Sequence, residues 1–147
     1  MSALDKTIMQ FELQSLNDWD IVIAKLNLTP KTLLLLEGEM GAGKTTFVSR
    51  LCQSYGVELV ASPTYAIIHQ YQARNMQIQH VDLYRLESED EIQSSGFWDL
   101  FENRDSIIIV EWPSRISEND WPLDWQIIKI SIEKQNEKRL VKVHSLF

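Results

Sequence analysis

Cysteine and glycine are both scarce in this chain of 147 residues. The single cysteine, Cys52, excludes an intrachain disulfide and leaves no second cysteine for a CxxC or zinc-binding pattern. Of only five glycines, three lie close together, at Gly38, Gly41 and Gly43. This cluster is therefore the first place to look for a functional loop.

Long apolar runs and an excess of positive charge are also missing. The longest apolar runs, such as residues 33–36 and 107–110, are far shorter than the roughly 18 residues of a membrane span. The N-terminal segment lacks the apolar core of a signal peptide, so we expect a cytoplasmic protein that does not associate with a membrane. The net charge of −7 argues against direct binding of bare nucleic acid or anionic lipid.

The remaining composition is that of one globular domain. With 44% hydrophobic residues, the chain has enough apolar side chains for a core, and we expect residues 1–147 to form a single domain. Continuous apolar segments predict buried strands at residues 32–37 and 106–111. Alternating segments predict the other strands, at residues 7–13, 65–72, 77–83, 125–133 and 139–145.

Helices are predicted between these strands. Apolar residues at helical spacing favour helices over residues 15–28 and 44–55. One or two more are expected in the acidic segment that surrounds Gly96. The alternation of strands and helices predicts an α/β domain with a mixed, mainly parallel central sheet and helices on both faces.

The glycine cluster matches a phosphate-binding pattern. Residues 38–45, GEMGAGKT, fit GxxxxGK[ST] at every fixed position. A predicted strand precedes them and a predicted helix follows, an order that directs backbone N–H groups and the helix N-terminus at a phosphate. Lys44 would reach the β- and γ-phosphates, and the Thr45 hydroxyl would be a Mg²⁺ ligand. The pattern predicts a P-loop NTPase-like three-layer fold, the alternative being an ordinary glycine-rich turn.

Two carboxylates and one hydroxyl are candidates for the same site. Glu111 and Asp82 each end a predicted strand, where a carboxylate emerges beside the phosphate loop and can hold Mg²⁺ or its water. Thr64 could sense the γ-phosphate, as hydroxyls of switch loops do. The alternatives are solvated strand-end carboxylates for Glu111 and Asp82, and a turn residue for Thr64.

Several segments, in order and spacing, resemble the TsaE family (formerly YjeE) of bacterial P-loop ATPases. The resemblance extends from about residue 32 to Pro113. The phosphate loop alone would be generic, and the combination with the later motifs makes the resemblance specific. The segments are GEMGAGKTT (38–46), SPTY (62–65), HVDLYRL (80–86), the acidic helix leading to Gly96, and IIIVEWP (107–113).

This resemblance implies a weak Mg²⁺-dependent ATPase that acts in making threonylcarbamoyladenosine in tRNA, together with TsaD and TsaB. It implies catalytic roles for Lys44, Asp82 and Glu111, with Thr45 and Glu111 on the metal, Thr64 in a switch-like loop and Trp112 required for activity. His80, Tyr84 and Arg85 would either support the site or contact a partner. The residues implied to bind ATP, and ADP as product, are Gly38, Glu39, Met40, Gly41, Ala42, Gly43, Lys44, Thr45, Thr46, Thr64 and Trp112.

Negative charge is concentrated in the middle of the chain. Residues 82–124 contain 12 acidic and three basic residues and three of the five tryptophans, and a fourth, Trp125, follows directly. This segment is either a solvated acidic face over core aromatics or a docking surface for a basic protein partner. TsaD or TsaB would be that partner by resemblance, and tRNA would then be contacted indirectly, through the complex.

Three other functions use the same loop. A small-molecule kinase needs cations that close over the γ-phosphate, for which Arg104 and Arg115 are the candidates. A GTPase switch is disfavoured because the chain has no NKxD segment to read guanine. A nucleotide-gated adaptor, in which binding matters more than turnover, is not distinguished from the ATPase by the residues.

Overall fold

The computed structural model describes residues 7–57 and 67–145. Its strands are β1 (Thr7–Leu13), β2 (Thr32–Gly38), β3 (Ile68–Gln72), β4 (Gln77–Asp82), β5 (Ser106–Glu111), β6 (Gln126–Gln135) and β7 (Lys138–Ser145). Its α-helices are α1 (Asp18–Leu26), α2 (Lys44–Ser54) and α3 (Glu89–Ser94), and short 3₁₀ helices cover Trp98–Glu102, Pro113–Arg115 and Glu118–Asp120. Within these two ranges, each helix is too short or too polar to span a bilayer.

The described strands form one sheet in the order β1-β7-β6-β2-β5-β4-β3. The four central strands, β6, β2, β5 and β4, are parallel to one another, whereas the pairs at both ends of the sheet are antiparallel. The predicted mixed sheet is therefore confirmed, with the parallel pairing confined to its centre. Because β2, β4 and β5 run in the same direction, their carboxyl ends meet at one edge of the sheet.

Side-chain alternation divides the core into two layers, one on each face of the sheet. Leu34 and Leu36 of β2 pack under α1 and α2 with Phe47, whereas Leu33 and Leu35 belong to the opposite cluster. That second cluster lies against α3 and contains Phe97, Trp121 and Trp125. Helices therefore cover both faces, as predicted for a three-layer α/β fold.

The helices begin and end at residues with recognisable terminal roles. In α3, the hydroxyl of Ser88 accepts a hydrogen bond from the N–H of Glu91, which caps the helix. The helix predicted over residues 15–28 is shorter in the structure, because residues 14–17 form a turn before it and Asn27 ends it in the left-handed conformation. In that turn the Asp18 carboxylate accepts hydrogen bonds from the N–H groups of Gln14 and Ser15, which lower the pKa of Asp18.

Candidate functional site

The phosphate-loop pattern lies where the sequence predicts it, between β2 and α2. Gly41 and Gly43 have φ values of 78° and 119°, in the region that favours glycine. A Cβ on Gly38 would lie 2.8 Å from the carbonyl oxygen of Ile132 on β6, so only glycine fits there without a shift. The N–H of Phe47 already bonds to the carbonyl of Gly43 at 2.9 Å, so α2 starts directly at the loop. The residues therefore form a glycine-permitted loop that ends at a helix N-terminus, the geometry of a phosphate cradle.

Lys44 is almost buried beneath this loop. Its ammonium donates a hydrogen bond to the carbonyl of Gly38 at 2.8 Å, and its Nζ lies 4.2 Å from the centroid of the Trp112 ring. The side chain is only 7% exposed, so its charge is held at the base of the loop by a carbonyl and an aromatic face. Lys44 of the phosphate-loop motif and Trp112 of the IIIVEWP motif, both predicted from the sequence as site residues, are thus in direct contact.

Trp112 has an uncommon backbone conformation that directs its ring over Lys44. Its φ of 61° and ψ of 51° lie in the left-handed region, which costs a bulky residue about 1 kcal/mol or more. The ring also packs against Tyr84, with the centroids 5.0 Å apart. Arg115 in turn donates a hydrogen bond to the carbonyl of Tyr84 at 3.0 Å. These contacts hold the segment after β5 against the segment after β4.

Glu111 ends β5 and is 6% exposed. Its Oε2 lies 2.6 Å from Nε2 of His80 on β4. Alternation along β4 and β5 puts His80, Asp82 and Glu111 on the face covered by α1 and α2, because Ile78 and Ile109 of the same strands belong to that cluster. The sheet thus holds a shielded carboxylate at the edge from which the phosphate loop emerges.

Asp82 is the register partner of Glu111 in the parallel pair β4–β5. Its Oδ1 accepts a hydrogen bond from the N–H of Tyr84 at 3.0 Å, which forms the turn that leaves β4. The structure therefore brings the two predicted carboxylates to adjacent strand ends, and it gives Asp82 a local structural contact in addition.

The hairpin β6–β7 also reaches the loop. Nε of Arg139 donates a hydrogen bond to the carbonyl of Ala42 at 2.8 Å. Beside this contact is a cavity of about 290 Å³, whose lining includes Gly43 and Thr46 of the loop region, Leu16 and Trp19 of the N-terminal part, and Arg139. If the phosphates of a nucleotide bound in the loop, its nucleoside would lie next to this cavity.

A larger cavity, of about 380 Å³, lies on the α3 face. Ile92, Trp98 and Ile116 line it together with Glu89 and Arg115. None of its lining residues belongs to the phosphate loop. The smaller cavity, although it has less volume, is therefore the one that lies next to the phosphate-loop pattern.

The residues present fit a magnesium–nucleotide complex. Thr45 and Glu111 supply a hydroxyl and a carboxylate, the hard oxygen donors that Mg²⁺ prefers. Within residues 7–57 and 67–145, no cluster of three or more His, Cys, Asp or Glu side chains forms a ready metal site. A cation that keeps its waters and binds substrate phosphates needs only one or two protein oxygens, which is what this edge of the sheet offers.

The other predicted residues have simpler surroundings. Met40, at the tip of the loop, is 70% exposed, and Glu39 and Thr45 are also exposed. Thr64 and the rest of the SPTY segment lie outside the described residues. Arg139 was not predicted, because it follows no motif and is 97 residues from Ala42. The pairing of His80 with Glu111 was not predicted either, since it depends on strand register.

Comparison with known proteins agrees with the resemblance in the motifs. A family model described as "Threonylcarbamoyl adenosine biosynthesis protein TsaE" matches residues 13–141. A Rickettsia conorii protein described as "tRNA threonylcarbamoyladenosine biosynthesis protein TsaE" is 35% identical over 127 residues, covering 82% of this chain and 70% of the relative. Proteins with the same description from Borreliella burgdorferi and Haemophilus influenzae are 40% and 37% identical. The chain spans about three fifths of the length of those two relatives, 59% and 60%.

A solved structure shares the fold. The crystal structure of Bacillus subtilis YdiB superposes with a TM-score of 0.69 at 24% sequence identity, covering 95% of this chain and 86% of that one. This likeness supports the α/β architecture. The family model covers most of the chain and includes the phosphate loop, the β4 and β5 motifs and the start of the last strand, so the chain belongs to the TsaE family.

Proposed function

We propose that this chain is a single domain that binds ATP with Mg²⁺, hydrolyses it slowly to ADP, and serves the formation of threonylcarbamoyladenosine in tRNA. TsaD and TsaB are the proposed protein partners, and tRNA is contacted through them. The observation that carries the nucleotide part is the position of Lys44, buried at the base of a glycine-permitted loop at the N-terminus of α2. The membership in the TsaE family supports the pathway.

In the proposed complex, each part of the site has a distinct task. The N–H groups of residues 41–46 and Lys44 bind the phosphates and offset their charge. Thr45 and Glu111 hold Mg²⁺, which when bound would neutralise charge on the phosphate oxygens. The cavity beside Gly43 takes the nucleoside, with Trp19 and Leu16 as apolar surface.

Asp82 and Trp112 complete the proposed machinery. Asp82 lies at the strand end next to Glu111, from which it can orient the metal-bound water or the attacking water. Trp112 covers Lys44 and excludes solvent from that side of the phosphates. Thr64 remains a proposed switch residue on the strength of the SPTY motif alone.

The small-molecule kinase gains no support from its two candidate lid cations. Arg104 pairs with Asp124 at 3.1 Å, and it precedes β5, so it lies at the sheet edge opposite the phosphate loop. Arg115 contacts the backbone of Tyr84. The ATPase therefore remains the proposal that the described geometry supports best.

The decisive measurement is ATP hydrolysis by the purified chain with TsaD and TsaB. We expect Lys44→Ala to lower turnover on the order of 100-fold, as for other losses of preorganised charge stabilisation. Lys25→Ala, at an exposed lysine of α1, is the matched control and should leave turnover unchanged. Equal rates in the wild-type chain and Lys44→Ala would overturn the ATPase.

The pathway needs a separate test in the host. Depletion of the chain should lower threonylcarbamoyladenosine in tRNA, as measured by nucleoside analysis. Re-expression of the wild-type chain should restore it, and Lys44→Ala should not. An unchanged level of the modified nucleoside after depletion would contradict the pathway and leave the ATPase proposal standing on its own measurement.

A further inference from the structure

The short contact between His80 and Glu111 is the feature of the site that the proposed chemistry leaves without a role. Nε2 of His80 and Oε2 of Glu111 are 2.6 Å apart, and the two side chains are 13% and 8% exposed. An ionised carboxylate accepts hydrogen bonds and donates none, so Nε2 carries the hydrogen and donates it. A charge-assisted hydrogen bond of this length is among the stronger ones in proteins.

The two residues meet because of strand register. His80 pairs with Ile109 and Asp82 with Glu111 along the parallel ladder of β4 and β5, so His80 is the diagonal neighbour of Glu111 on the same face. Both strands are central and their neighbouring side chains Ile78 and Ile109 are fully buried. The imidazole is therefore attached to a rigid frame and can fix the carboxylate in one orientation.

A purely structural role explains this contact less well. The six register pairs of β4 and β5 already join the two strands, so the fold does not need a side-chain bond at the strand end. Placing a carboxylate at 6% exposure carries a desolvation cost that a core apolar residue would avoid. Carboxylates that bind metal ions are instead commonly hydrogen-bonded by an outer partner that orients them, and an imidazole N–H can serve as that partner.

We propose that His80 is a positioning residue for the magnesium–nucleotide complex. Its Nε2–H holds Oε2 of Glu111, which leaves Oε1 as the oxygen that faces the cation or a water bound to it. Because a neutral imidazole can donate this hydrogen bond, the negative charge of Glu111 stays available to the cation. This inference rests on the proposed function, since it assigns His80 to the same nucleotide site.

The test is the Mg²⁺ dependence of ADP binding, measured by calorimetric titration with and without the cation. Removal of outer partners of metal ligands typically weakens metal affinity 10- to 100-fold. We therefore expect His80→Phe to raise the Mg²⁺ concentration for half-maximal enhancement of ADP binding by about 10-fold or more. The affinity for ADP without Mg²⁺ should be unchanged, because the phosphate loop does not involve His80.

Three further variants separate positioning from general damage to the sheet. His80→Gln keeps an N–H donor at a similar reach and should retain most of the Mg²⁺ dependence. His144→Phe replaces a buried histidine of a different strand, β7, at the far side of the sheet, and should change nothing in the titration. In the double variant His80→Phe/Glu111→Gln, the Mg²⁺ effect should be no larger than in Glu111→Gln alone, since His80 acts through Glu111.

Each outcome has a definite reading. A wild-type chain that binds no nucleotide overturns the proposed function and this inference with it. Nucleotide binding with an unaltered Mg²⁺ dependence in His80→Phe overturns the inference alone. Three other results would each show that His80 does not act by positioning Glu111. One is an equal loss of ADP affinity with and without Mg²⁺ in His80→Phe. The others are an equal loss of Mg²⁺ dependence in His80→Gln and His80→Phe, and additive losses of Mg²⁺ dependence in the double variant.

Discussion

Gly38 shows how closely the phosphate loop is built against the neighbouring strand. A Cβ there would lie 2.8 Å from the carbonyl oxygen of Ile132 and 3.2 Å from the side chain of Ala42. Since a backbone carbonyl cannot move aside as a flexible side chain can, Gly38→Ala must displace the loop or β6. We expect a loss of about 1–3 kcal/mol in the free energy of unfolding, as for other overpacked sites, and weaker ADP binding.

Gly96→Ala is the matched control for that change. Gly96 has a φ of 87°, but a Cβ there meets nothing within 4 Å. Its replacement by alanine should lower the free energy of unfolding by about 1 kcal/mol, through the strained backbone conformation alone, and leave ADP binding intact. Thermal unfolding and nucleotide titration of both variants would decide the matter, and unchanged ADP binding in Gly38→Ala would contradict the steric argument.

Cys52 makes a pH-dependent contribution to stability. Cys52 lies on the core-facing side of α2, and burial raises the pKa of its thiol from 9.0 to about 11. Because the unfolded thiol ionises first, the free energy of unfolding is unaffected below pH 9 and falls between pH 9 and 11. At pH 11 the loss should reach about 2 kcal/mol relative to pH 8.

Chemical denaturation of the wild-type chain and Cys52→Ala, at pH 8 and at pH 11, measures this effect. The stability advantage of the wild-type chain over Cys52→Ala should shrink as the pH rises. Burial and the nearby Cys52 raise the pKa of Tyr71 as well. The same comparison in a Tyr71→Phe background therefore separates the contribution of the thiol from that of the phenol. An advantage that stays constant with pH would show that the thiol does not titrate differently in the folded state.

At the scale of secondary-structure elements, local patterns predicted most of the fold. The continuous apolar runs of β2 and β5 and the alternation of β6 and β7 each correspond to a strand of the structure. The short 3₁₀ helices at Pro113–Arg115 and Glu118–Asp120 were not predicted, because three residues carry no periodicity. The order of strands in the sheet also has no local signature, since it depends on which distant strands pair.

The same division applies to the candidate site. The phosphate loop and the two strand-end carboxylates were predicted, because each follows from a local motif next to a strand. The contacts that join these motifs were not: Lys44 with Trp112, His80 with Glu111, and Arg139 with Ala42. Each of these pairs is 31 or more residues apart in the chain, so their proximity is a product of the tertiary structure.

The hairpin of β6 and β7 supports the phosphate loop through Arg139. Its Nε bonds to the carbonyl of Ala42 at 2.8 Å, and the side chain lines the cavity beside Gly43. Arg139→Met keeps much of the aliphatic stem and removes this donor, so the loop loses a fixed contact. Since a hydrogen bond from a charged group contributes about 1.5–3 kcal/mol, ADP affinity should fall on the order of 10-fold.

Lys134→Met is the matched control for Arg139→Met, because Lys134 is the register partner of Arg139 on β6 and is exposed. It should leave ADP binding unchanged and shift the unfolding temperature no more than Arg139→Met does. If both variants bind ADP as the wild-type chain does, the hairpin does not support the loop.

At the scale of the whole molecule, the uneven distribution of charge bears on the proposed partners. Residues 82–124, with 12 acidic and three basic residues, more than account for the net charge of −7 of the whole chain. In the structure, Phe97 and Trp121 of this segment and the adjoining Trp125 belong to the core, whereas residues 87–91 and Glu102 are exposed. The core aromatics thus build the domain, and the exposed carboxylates of residues 87–91 and Glu102 are left to face solvent or a partner.

We expect this acidic face to accelerate association with a TsaD–TsaB complex by electrostatic steering. The variant Glu89→Gln/Glu102→Gln should lower the association rate at low salt, and raising the salt concentration should reduce the difference from the wild-type chain, because the Debye length falls to about 10 Å at 0.1 M. The dissociation rate should change less, since rim charges act chiefly on encounter. Surface plasmon resonance over a series of salt concentrations measures both rates.

The control removes the same amount of charge from the other end of the sheet. Glu12 and Glu133 are exposed residues of β1 and β6, and Glu12→Gln/Glu133→Gln leaves residues 82–124 untouched. Steering by the acidic face requires that this control associate faster than Glu89→Gln/Glu102→Gln at low salt. Equal rates in the two variants would attribute the effect to net charge alone. A rate independent of salt in the wild-type chain would show that the exposed carboxylates of residues 82–124 merely face solvent.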